Sequence, residues 1–222
     1  MSLIFFLLLF ISFLFHTPSF SQTPPKGFLI NCGTLSSTQI NNRTWLPDSN
    51  FITTGTPKNI TTQVLLPTLK TLRSFPLHVK KHCYNIPVYR GAKYMIRTTY
   101  FYGGVNGVDH PTPPVFDQIV DGTLWSVVNT TVEYGNGNSS YYEGVFLAVG
   151  KFMSFCIGSN SNTDSDPFVS ALEFLILGDS LYNTTDFNNF AIGLVARNSF
   201  GYSGPSIRLV VGHCFLQPLC GW

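Results

Sequence analysis

The sequence predicts an all-β protein, a β-sandwich or jelly roll, on three observations. Twenty Phe and ten Tyr stand beside nineteen Gly and fourteen Pro, a mixture that favours strands and turns over helices. Short apolar runs recur along the chain, each closed by a turn signal. No segment longer than about ten residues carries a convincing helical period. At 44% hydrophobic, the 222 residues can build a real core, with length for one domain and part of another.

The elements follow in order. Leu3–Phe15 reads LIFFLLLFISFLF, thirteen residues without a charge. A helix of that length spans ~20 Å, short of the ~30 Å hydrocarbon core, so residues 1–21 read as a signal peptide cleaved after Ser21. A membrane anchor follows only if this segment is retained. Gly27–Cys32 is the first buried strand, ending at Asn31–Cys32–Gly33. Thr34–Gly55 reads as polar and turn-rich, with Trp45 its one strong apolar anchor. Thr61–Leu66 is a candidate strand before Pro67, and Leu69–Phe75 and Tyr84–Val88 flank an alternating segment. Ala92–Tyr102 is the best strand of the chain and stops at Gly103–Gly104. Phe116–Val120 and Leu124–Val128 are joined by Asp121–Gly122, a hairpin signal. Val132–Tyr134, Gly144–Val149 and Phe152–Ile157 continue the pattern. After the polar loop Ser159–Asp166, Phe168–Leu177 reads as a buried strand rather than a short helix. Phe28–Gly33 and Leu194–Asn198, with Gly201, form a weak internal repeat.

Charged residues are only 11% and the net charge is +2, with no basic run. That excludes a nucleic-acid groove and a polybasic membrane patch. Five N-x-S/T sequons, at Asn42, Asn59, Asn129, Asn138 and Asn183, exceed the about two that chance gives a chain of this length. They point to the secretory pathway, and attached sugars would keep so lightly charged a surface soluble. The five cysteines are Cys32, Cys83, Cys156, Cys214 and Cys220; the odd count leaves at least one unpaired or paired between chains. No CxxC spacing and no His cluster supports a metal site, and no cofactor is expected.

A series of short motifs now becomes informative: Ile30–Gly33, Trp45–Asp48, Leu72–Pro76, His82–Tyr84, Tyr94–Thr98, Tyr100–Gly103, Phe116–Asp117, Pro167–Glu173, Arg197–Asn198 and Ile207–Arg208. Taken in order, they resemble the plant malectin-like domain. The resemblance implies a malectin-type β-sandwich over residues 27–182, related to carbohydrate-binding modules. It implies the first strand of an incomplete second malectin fold over residues 189–222. Beyond Arg208 the chain departs from the family pattern and reads LVVGHCFLQPLCGW, as expected of a truncated product.

The same resemblance implies a non-enzymatic role: binding of glycans, diglucose or a cell-wall saccharide, in the extracellular space, the cell wall or the ER lumen. A sugar site needs aromatic faces for ring C–H groups and polar side chains for hydroxyls, at the rim of a rigid sandwich. Tyr100, Tyr102 and Asn106 enter a Gly-rich loop, and Asp164 and Asp166 sit on a second loop that would converge with it. Tyr100 and Tyr102 also read as core strand residues. The sugar-stacking aromatic pair of animal malectins falls near Gly104–Val105, and the acidic contact near Ser165–Asp166, so Asp166 alone matches. The alternatives are an ectodomain fragment that binds secreted peptides or receptor proteins, and a truncated product with no function of its own. A glycosidase would need two facing carboxylates, for which Asp117 and Glu173 are the candidates; both read better as structural hydrogen-bonding groups.

Overall fold

The computed structural model describes residues 27–195 except Gln63 and Leu65. The expected signal segment, Cys214, Cys220 and the tail from Ala196 lie outside them. The strands are β1 (Gly27–Asn31), β2 (Thr38–Ile40), β3 (Arg43–Pro47), β4 (Thr56–Asn59), β5 (Thr71–Ser74), β6 (Lys81–Pro87) and β7 (Lys93–Tyr100). They continue as β8 (Phe116–Val120), β9 (Thr123–Val128), β10 (Ser140–Leu147), β11 (Phe152–Gly158), β12 (Phe168–Val169), β13 (Ala171–Ile176) and β14 (Ile192–Gly193). One α-helical turn, α1 (Thr131–Gly135), precedes β10.

Seven strands form one sheet in the order β14-β10-β7-β13-β1-β3-β2. Four form a second in the order β6-β11-β8-β9, and β12-β5-β4 form a third. Side chains alternate across a strand, so Tyr94, Ile96, Thr98 and Tyr100 of β7 point between the sheets while Met95, Arg97 and Thr99 point away. The inward set joins Phe28, Ile30, Leu172 and Phe174 from its own sheet. From the facing sheet come Tyr84, Ile86, Phe116, Phe155 and Ile157, in one continuous core. A polar clasp crosses it, where the Thr98 and Tyr100 hydroxyls both donate to Gln118 Oε1 at 3.0 Å.

The hairpin expected at Asp121–Gly122 forms with both residues left-handed, φ +46° and +85°, the geometry of a two-residue turn matched to strand twist. A second such turn, at Asn41–Asn42 with φ +53° and +58°, joins β2 to β3. Thr34–Gly55 is therefore not only turns: Asn tolerates positive φ, and the turn lets Trp45 bury from a strand. Two further expectations are corrected. Val132–Tyr134 lies in α1, whose Tyr134 N–H donates to the Thr130 carbonyl at 2.9 Å. No strand forms among the described residues of Thr61–Leu66. Phe168–Leu177 is extended as expected, interrupted once at Ser170, where the chain passes from one sheet to another.

Cys83 and Cys156, directly opposite on β6 and β11, form a disulfide, and Cys32 is a free, buried thiol. On the outer face of the large sheet, Met95, Val145, Leu175 and Leu177 form a small second cluster against Phe187 and Ile192. Ile192 and Gly193, in the stretch assigned from sequence to a second unit, add to this sheet as β14.

Candidate functional site

Beyond β7 the chain turns through Gly103 and Gly104, with φ +61° and +71°. A Cβ on Gly103 would come 2.5 Å from Ile60 Cδ1, so the loop needs glycine there. The turn aims Val105 and Asn106 at the loop 159–167. The two loops meet: Asn106 Nδ2 donates to the Asp166 carbonyl at 3.0 Å. From β4, Lys58 Nζ reaches the Val105 carbonyl at 3.2 Å and Asn106 Oδ1 at 3.4 Å. Asp166 Oδ1 accepts the Leu77 N–H at 3.0 Å. Asp164 is exposed and accepts the Ser165 hydroxyl at 3.3 Å. Nothing in the sequence pattern had singled out Lys58 as the third member of this rim.

Tyr100 and Tyr102 do not present faces here, which corrects the expectation that they stack on a sugar. Both are fully buried. Tyr100 stands edge-on to Phe116, Tyr142 and Phe168, with centroids 5.6–6.0 Å apart. The Tyr102 hydroxyl donates to the His110 carbonyl at 2.6 Å. The physical reason is the strand period: a residue in step with Tyr94 and Ile96 must face the core. Burial pushes both phenols above their ordinary pKa, so neither ionises in the working range. The aromatic near the rim is Tyr134 of α1, half-buried against Phe101 and Tyr102.

A concavity lies between the outer edges of two sheets. Leu124 and Trp125 of β9, Tyr141 and Phe146 of β10, and Phe190 and Leu194 beside β14 line a groove of about 700 Å³. Trp125 meets Phe146 edge-on at 5.1 Å. Tyr141 is 43% exposed and Phe190 68%, so aromatic surface is available to a ligand. Glu143 is the one charged residue in the lining, and its carboxylate accepts Arg97 Nε at 2.6 Å. Thr123, Ser126 and Asn189 supply polar atoms. Sequence reasoning missed this groove because its residues come from three separated segments.

The buried charges are all engaged. Arg73 makes a two-pronged pair with Asp48, at 2.5 and 2.6 Å, and also donates to the Thr54 and Gly55 carbonyls at 3.2 Å. The Tyr84 hydroxyl donates to Asp48 Oδ2 at 3.1 Å. Burial, and then the Asp48 charge, push the Cys32 thiol well up, which makes it a poor nucleophile. Glu173 takes Arg97 Nη1 at 3.1 Å, and Asp117, on the opposite sheet, takes Asn160 Nδ2 at 2.8 Å. The two carboxylates weighed as a glycosidase pair thus stand on different sheets, each held by its own partner.

The malectin-like domain model matches residues 30–210. The chain belongs to the malectin-like family. A probable leucine-rich-repeat receptor-like serine/threonine-protein kinase of Arabidopsis thaliana, At1g67720, is 30% identical over 193 residues, 85% of this chain and 20% of that protein. The crystal structure of the ANX1 ectodomain from the same plant superposes with TM-score 0.59 at 16% identity, over 70% of this chain and 42% of that one. A structure of the plant peptide RALF23 in complex with FER and LLG2 superposes with TM-score 0.58 at 18% identity, over 71% and 41%. This malectin-like chain spans less than a third of the length of the first curated relatives it matches. Among the described residues, no helix is long and apolar enough to cross a membrane.

Proposed function

We infer that this malectin-like chain is a non-enzymatic, extracellular recognition module that takes an extended peptide in the groove between β9 and β10–β14. The observation that carries the reading is the groove itself. It is walled by two outer strands, floored by aromatic side chains and almost without charge. Main-chain groups at such edges bind an extended chain, and pockets between aromatic residues select its side chains. The rim fits a ligand less well, because Lys58, Asn106 and Asp166 already satisfy one another.

The second reading keeps the saccharide. Exposed Asp164 and half-buried Tyr134 are the rim groups left for it, and diglucose is its ligand class. Isothermal titration of the secreted protein with maltose, with nigerose and with RALF23 as a peptide probe separates the two. Saturable peptide binding, lost in Tyr141→Ala and Phe190→Ala, supports the groove. Saturable diglucose heat, lost in Asp164→Ala and kept in Tyr141→Ala, replaces the peptide reading with the saccharide one.

A further inference from the structure

An outermost strand displays unpaired N–H and C=O groups and invites pairing with another chain, so soluble β-proteins protect it with lysine, proline, a bulge or a cover. Among the described residues, β6 and β9 bound the four-stranded sheet, β2 bounds the large sheet opposite β14, and β4 bounds the three-stranded sheet opposite β12. β6 carries the usual protection, with Lys81 at its start and Pro87 at its end. β12 is two residues long and fully buried. β2 (TQI) and β9 (TLWSVV) contain neither charge nor proline, although β9 carries a bulge where its register on β8 skips Trp125; β14 (IG) is bare as well but only two residues long. β9 is the more hazardous, since Leu124 is 58% exposed and Val127 47%.

Two of the five sequons fall where charge and proline are missing, a third falls on the protected edge strand β4, and Asn138 and Asn183 adjoin no outermost strand. Asn42 sits in the two-residue turn directly after β2, and Asn129 is the first residue after β9. Asn59 is the last residue of β4, a strand that also holds Pro57 and Lys58. β6, already protected, has none. All three asparagines are exposed. At Asn129 the side-chain Oδ1 accepts the Thr131 N–H at 3.2 Å, while Nδ2, the atom that takes the sugar, bonds to no described residue. A branched oligosaccharide there is bulkier than the ~4.8 Å spacing at which a second strand must approach.

We propose that N-linked glycans on Asn42, Asn59 and Asn129 block the open sheet edges and hold the folded chain apart from a second copy of itself. The glycan on Asn129 carries the largest share, because β9 has the most exposed apolar surface and, beyond the bulge at Trp125, neither charge nor proline to protect it. Because β9 also walls the groove, a glycan on Asn129 leaves β14 as the edge on which a groove peptide would pair.

The test uses the full chain secreted from eukaryotic cells, with site occupancy read by peptide mass spectrometry and size by light scattering after gel filtration. Thr44→Ala, Thr61→Ala and Thr131→Ala each abolish one sequon and keep the asparagine; Thr185→Ala removes the Asn183 sequon, which adjoins no strand. The expected result is occupancy at Asn42, Asn59 and Asn129, a monomeric parent and a monomeric Thr185→Ala. Thr131→Ala doubles its mass or more, and Leu124→Lys added to it restores the monomer. Should Thr131→Ala fail to secrete, endoglycosidase trimming of the folded parent to single N-acetylglucosamine stubs gives the same reading. An unoccupied Asn129, or a folded Thr131→Ala or trimmed protein that stays monomeric, overturns the proposal.

Discussion

At the rim, Lys58, Asn106 and Asp166 spend their polar atoms on one another and on the Val105 carbonyl and Leu77 N–H. In the groove, Tyr141, Phe190 and Leu124 turn apolar surface outward with no described side of the fold to cover it. Both regions lie where loops and strand ends meet, and both hold aromatic and polar residues. The difference is satisfaction. A region whose hydrogen-bond capacity is already filled is architecture, because a ligand would have to break those bonds to enter. An uncovered aromatic face loses nothing when a ligand arrives, and gains from its own desolvation.

The largest test of that contrast strikes the footing of the rim. Arg73 on β5 holds buried Asp48 and the Thr54–Gly55 backbone from which β4 and Lys58 start. In Arg73→Met, Asp48 stays fully buried with its charge uncompensated, at a cost of about 3–5 kcal/mol. Chemical denaturation is expected to show a midpoint shift of that size, together with a parallel loss in Asp48→Asn. Groove binding at a temperature where the variant is still folded should not change. A loss under about 1 kcal/mol would mean that the pair contributes little beyond its own desolvation.

The next test asks whether the rim polar groups are a lock or a site. Asn106→Ala removes one hydrogen bond to the Asp166 carbonyl and one from Lys58, so a loss of about 1–2 kcal/mol is expected. Lys58→Met and the double variant complete a cycle with a coupling of about 0.5–1 kcal/mol. Unchanged stability with lost diglucose heat would restore Asn106 as a ligand contact and reverse the comparison.

Much of this was legible beforehand, and where it was not the reason is physical. Asp121–Gly122 announced its hairpin because few residues accept two positive φ values in a row. Phe168–Leu177 was readable as strand because its neighbours were, although its break at Ser170 was hidden in continuous hydrophobicity. The β2–β3 hairpin escaped notice because Asn41–Asn42 signals a turn more weakly than Asn–Gly does. At the rim, the meeting of the 103–107 and 159–167 loops was anticipated. Tyr100 was open to two readings, and strand parity decides for the core. The groove could not be foreseen, since nothing local links Trp125, Phe146 and Phe190 until strand order brings them together.

The smallest expected effect concerns pH, and it again separates the two regions. His82 lies under the rim wall, 5% exposed and stacked on Phe75 at 4.9 Å. Its Nε2 faces the Pro76 carbonyl at 3.5 Å, which can only accept, so Nε2 carries the proton and Nδ1 accepts from the Thr54 hydroxyl at 3.0 Å. Burial lowers the His82 pKa below its usual 6.5, and nearby His78 lowers it further, against the opposing pull of the Pro76 carbonyl and Asp166. The unfolded chain therefore takes this proton more readily than the folded one. Stability from His82 is fully present above about pH 6.5 and is lost as pH falls from there through the folded pKa, after which it levels off. Thermal melts between pH 7.5 and 5 should show this decline in the parent and a flatter profile in His82→Gln. The groove lining holds no histidine, so ligand binding there should stay level over the same window. A decline of equal size in His82→Gln would assign the acid sensitivity to other groups, and a binding loss that tracks it would tie the groove to the rim after all.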